Sequence, residues 1–113
     1  MPRMHLNIVD TAYGRDHSAD RMTVTAHTLI ARDHAPARPT VLQAVIVNTP
    51  LLKDARATVS VLSDGFAWTT LLDLPPSEWL RQVNPTTRPE TVRRHMDELA
   101  ENLFARAVTI LEG

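Results

Sequence analysis

The chain has 113 residues, 43% hydrophobic and 22% charged, with a formal net charge of −1 and no cysteine. That is enough for one globular core and too little for two. It excludes disulfides, thiol nucleophiles and thiolate metal sites, and it makes nucleic acid and anionic membrane poor partners. The longest aliphatic run, Ala44–Val47, is far too short to span a bilayer. The opening MPRMHLNIVD lacks the apolar core of a secretory signal, so the expectation is a soluble, cytoplasmic protein. Lys53 is the only lysine among twelve basic residues, a bias that suits a GC-rich bacterial or phage genome.

The first strand is expected near 5–10. The polar stretch TAYGRDHSAD, residues 11–20, follows, with Gly14 as its turn residue. From Met22 the chain alternates. Met22, Val24, Ala26, Thr28 and Ile30 fall on one side, and Thr23, Thr25, His27 and Leu29 on the other. Period two predicts a half-buried strand over 22–31. Pro36 and Pro39 predict an extended loop. Residues 41–47 are apolar at nearly every position, which marks the central strand.

Two more strands are expected near 55–63 and 66–73, joined by Asp64-Gly65. That dipeptide suits a two-residue type I′ turn, which sets Ser63 opposite Phe66 and Val61 opposite Trp68. Val59, Val61, Phe66, Trp68 and Leu72 then share a core face. Thr58, Ser60, Thr69, Leu62, Ala67 and Leu71 share a lighter one. Pro75-Pro76 stops the sheet, and Ser77 caps a short helix near 77–83. Trp79 closes the gap between sheet and helix, with its indole N–H expected at the surface.

Thr87 and Glu90 form a capping box with Pro89 in the first turn. They open a long helix near 88–111. Val92, Met96, Leu99, Leu103 and Ile110 line its apolar face, widened by Ala100, Phe104, Ala107 and Leu111. The fold class is therefore α+β: an antiparallel meander of about five strands, a short helix, and one long C-terminal helix on one sheet face. The other face has nothing in this sequence to cover it.

Chemistry-bearing residues are scattered. Asp16, His17 and Ser18 are triad ingredients, but a triad is a spatial arrangement and these read as turn formers. His5, His17, His27, His34 and His95 have no HExxH-like spacing. No metal or other cofactor is expected, and His27 and His34 are the nearest to a ligand pair. Arg81 and Arg88 near a helix start make a weak anion site. On the long helix, Arg88, Arg93 and Arg94 precede Asp97, Glu98 and Glu101. This order opposes the helix dipole and is softened by Glu90–Arg94, Arg93–Asp97 and Arg94–Glu98, each four apart.

The functional expectation is a small non-enzymatic interaction module, accessory or regulatory, acting as a homodimer or on another protein. Its contact residues would be Leu62, Ala67 and Leu71 on the lighter sheet face, or Arg93, Arg94, Asp97, Glu98 and Glu101 on the helix. The alternative is a small enzyme or ligand-binding protein with a pocket between sheet and helix.

Overall fold

The computed structural model describes residues 6–16, 19–30, 38–48, 55–63, 67–79 and 89–113. Five strands run in chain order: β1 (Leu6–Asp16), β2 (Ala19–Ile30), β3 (Arg38–Asn48), β4 (Arg56–Ser63) and β5 (Ala67–Leu74). They form one antiparallel sheet ordered β1-β2-β3-β4-β5. Two helices follow, α1 (Pro76–Trp79) and α2 (Pro89–Glu112). The α+β meander read from the sequence is the observed fold, with β3 at its centre.

Alternation builds the core. Met22, Val24, Ala26, Thr28 and Ile30 are all buried, as their spacing requires. Through the β2–β3 register they stand beside Leu42, Ala44 and Ile46, and Ala57 and Val59 of β4 continue the layer. From α2, Val92, Met96, Leu99, Ala100, Leu103, Phe104, Ala107 and Val108 close it. Ile110, expected in this stripe, is 48% exposed instead. It lies in the last helical turn, outside the stripe that meets the sheet.

The hairpin departs from expectation by one residue. Ser63 pairs with Ala67, Leu62 with Trp68 and Val61 with Thr69, so three residues separate the arms rather than two. A one-residue slip turns every side chain to the other face. Trp68 thus leaves the core and is 46% exposed beside Leu62. Thr69, which takes its place opposite Val61, is exposed too. Leu71 is an extra residue on β5, a bulge that restores the facing beyond it, so Leu72, now opposite Val59, and Leu74, opposite Ala57, are still on the core side. The turn residues Asp64, Gly65 and Phe66 lie outside the described residues.

Other expectations are revised. β1 runs on to Asp16, so Gly14 is a strand residue opposite Arg21 and not a turn. An added Cβ at Gly14 meets nothing within 4 Å. Gly14→Val should therefore raise stability by up to about 1 kcal/mol through backbone entropy and strand propensity. Chemical denaturation checks this, and a loss would mean that the position is crowded. Pro39 belongs to β3, opposite Leu29. It precedes Leu42, where pairing with β4 begins among the described residues, so its missing N–H falls toward the end of β3, where a proline is tolerated. Trp79 is 1% exposed, and its indole N–H donates to the Leu74 carbonyl at 3.2 Å. The expected surface indole is thus turned inward, because α1 follows Leu74 at once and brings the ring back under the sheet. The capping residue Thr87 lies outside the described residues.

Candidate protein-interaction face

The side of the sheet away from α2 is built by the odd residues of β2 and β3. Reading the registers across gives successive rows. Leu29 and Pro39 lie at one end. Next come Asn7, His27 and Val41, with the Leu62–Trp68 pair one step past Leu42–Val61. Asp10, Thr25, Gln43, Ser60 and Thr70 make the middle row. Ala12, Thr23, Val45, Thr58 and Asp73 follow. Gly14, Arg21, Val47 and Arg56 close the far end.

Leu29, Pro39, Val41, Leu62 and Trp68 thus gather toward one end beside Asn7 and His27, hydroxyls and an amide with Asp10 occupy the middle, and Asp73, Arg21 and Arg56 lie toward the other end. Val41, Val45 and Val47 are half-buried where their partners across the strand, Leu42, Ala44 and Ile46, are fully buried. At the apolar end Leu29 is 49% exposed, close to the value for Trp68. At the charged end Arg56 Nε lies 3.7 Å from Asp73 Oδ1, both well exposed. Two shallow depressions lie here. One, of about 660 Å³, is lined by Arg21, Val45, Val47, Arg56, Thr58, Thr70 and Asp73. The other, of about 600 Å³, shares Arg21 and Val47 with it and reaches over Ala12 and Gly14.

A second polar group sits at the same sheet end but toward the helix. Asp20 is buried, accepts a hydrogen bond from the Tyr13 hydroxyl, and is held by Arg15 through Nε at 2.9 Å and through a second nitrogen at 3.1 Å. The Arg93 guanidinium lies 5.9 Å from the centre of the Tyr13 ring, a cation–π contact that ties α2 to β1. Sequence reading misses this group because its strand is polar and resembles a loop. The signal available was Tyr13 at even spacing from Thr11 and Arg15.

Burial first, and then the Asp20 hydrogen bond, push the Tyr13 phenol from 10.0 up to about 12. A raised folded value favours the protonated form. Its stabilisation is present below pH 10 and lost as pH rises toward 12. Tyr13 is the only tyrosine, so phenolate absorbance reads it alone. The expected midpoint is about 12 in the native protein, and Asp20→Asn should lower it. An unchanged midpoint in that variant would exclude the bond as a cause.

The other residues singled out from sequence are dispersed. Leu62 lies on the open face, as its register requires. Ala67 falls on the helix side, and Leu71, at the bulge, packs partly against the core. Arg94, Glu98 and Glu101 are exposed on α2, and Asp97 is half-buried. Glu90–Arg94, Arg93–Asp97 and Arg94–Glu98 form no ion pair among the described residues. His27 is exposed on the open face, and no cluster of three metal-ligating side chains occurs among the described residues. His5, His17, His34, Arg81 and Arg88 lie outside the described residues. No described helix is long and apolar enough to cross a membrane. Comparison with protein-family models, with curated proteins and with solved structures found no match to this chain.

Proposed function

We propose that the protein is a small non-enzymatic interaction module, accessory or regulatory, that binds another protein through the open face of its sheet, in the first instance a second copy of itself. One observation carries this reading: a whole sheet face, with Trp68 and Leu29 standing out of it, is left uncovered by the chain's own helix. Large apolar side chains left exposed together on one face are a feature of interaction sites in soluble proteins. The space between sheet and helix, where a pocket was the alternative, is filled by Met22, Leu42, Ile46, Met96, Leu103 and Phe104. That favours the module over the enzyme.

Light scattering at micromolar concentration should give a mass near twice 12.6 kDa. Val45→Arg, which places a charge on the central strand of the face, should return it to the monomer. A dimer that survives Val45→Arg but dissolves on Arg93→Glu with Arg94→Glu would move the interface to α2 and reject the sheet face.

A further inference from the structure

We infer that the Arg21–Arg56 end of the open face is an oxyanion site, which takes the phosphate or carboxylate group of a small ligand over Val47. It is a ligand site and does not depend on which protein covers the rest of the face. The strand registers build it. Val47 pairs with Arg21 on one side and with Arg56 on the other, so the two arginines share a row and a face. At about 4.8 Å between strands their Cα atoms stand about 10 Å apart, with Val47 between them. Two guanidinium groups at that spacing can reach one small group from opposite sides. Both arginines line the same depression of about 660 Å³, together with Val45 and Val47 of the central strand and the Thr58 and Thr70 hydroxyls. Gly14 continues the row opposite Arg21 and carries no side chain, so a ligand can enter over β1.

The donors around this depression are unspent. Arg21, Thr58 and Thr70 make no side-chain hydrogen bond or ion pair among the described residues. Arg15 at the same sheet end differs, since its guanidinium is committed to Asp20 at 2.9 and 3.1 Å. Arg56 meets Asp73 alone among them, and at 3.7 Å from Nε that contact is too long for a hydrogen bond. Both of its partners are well exposed, so it contributes little and yields readily to a better-placed anion.

Val45 and Val47 offer no side-chain hydrogen bond, so an oxyanion above them is held by the flanking donors. A guanidinium donates in parallel pairs that match two oxygens of a carboxylate or a phosphate. A phosphate has a further oxygen for the Thr58 hydroxyl, and a carboxylate has none.

Inorganic phosphate and acetate are the probes, each added to the native chain at constant ionic strength and followed by backbone amide shifts. The amides of Arg21, Val47, Arg56 and Thr58 are expected to move together and to saturate in the millimolar range. Those of Arg94 and Arg106, exposed on α2, should stay still. Arg21→Gln and Arg56→Gln should each weaken binding about tenfold. Both side chains are exposed, so neither change should disturb folding. Asp73→Asn removes the carboxylate that competes for Arg56 and should tighten binding severalfold. Phosphate binding tighter than acetate, with the difference lost in Thr58→Val, assigns the site to a phosphate ester; equal binding assigns it to a carboxylate. Shifts that never saturate, or that Arg94 and Arg106 share, would show ionic screening alone and overturn the site. So would binding left unchanged by Arg21→Gln and Arg56→Gln. Light scattering on the same samples reads the protein contact separately, so failure of the oxyanion site and failure of the interaction face are distinguishable.

Discussion

Phe104→Ala is expected to destabilise the protein by about 3–5 kcal/mol, the range for emptying a large aromatic from a closed core. Phe104 is fully buried on α2 and faces a sheet layer of Met22, Leu42 and Ile46 that is equally closed. A sheet cannot collapse onto the hole as a loop can, so little of the loss should be recovered by relaxation. The melting temperature should fall by more than about 10 °C. Urea unfolding at one fixed protein concentration measures the change, since dimerisation would couple stability to concentration. A loss under about 1 kcal/mol would mean that α2 does not seal the sheet as described.

The two tryptophans should behave as opposites. Trp79→Ala is expected to cost about 3–5 kcal/mol, because it empties a buried site and strands the Leu74 carbonyl that its indole N–H satisfies. Trp68→Ala should cost under about 1 kcal/mol in the monomer, since half of that ring is already in water. Its effect should appear in self-association instead. Fluorescence separates the two directly. In a Trp79→Phe protein the remaining Trp68 should be quenched readily by iodide at low concentration and become protected as concentration rises. Quenching independent of concentration would place Trp68 outside any interface between copies.

What could be read from the sequence followed from where cover is one-sided. Met22 to Ile30 alternates cleanly because α2 buries one side of β2 and no described helix covers the other. The α2 stripe was readable for the same reason, apart from Ile110 at its end. The second half of β1 was hidden because an edge strand needs few apolar residues. Its pairing is sustained by Tyr13, Arg15 and Asp20, which resemble loop residues one at a time. The hairpin slip was hidden for a subtler reason. Either register puts Leu72 and Leu74 inside, since the Leu71 bulge absorbs the difference, so the apolar pattern does not distinguish them. That the single long helix would leave one sheet face without a helix was visible from the count of elements. The placement of Leu29 and Trp68 toward one end of that face and of Arg21 and Arg56 toward the other needed the register, and its occupant remains the proposal above.

The order of elements along the chain also bears on how the protein is made. Each strand pairs with its sequence neighbour, so the meander can zip up locally and early. The element that seals it, α2, is synthesised after all five strands. Until it arrives, Met22, Leu42, Ile46 and Val59 line a greasy surface on the nascent sheet, behind the face that no described helix covers. For that interval the chain presents both sides of a β-sheet to its surroundings, the condition under which partly folded chains clump. Weakening α2 should therefore show first as poor soluble yield, before any change in melting is measured. Slower growth at lower temperature, or a chaperone that holds the sheet until the helix docks, should restore that yield.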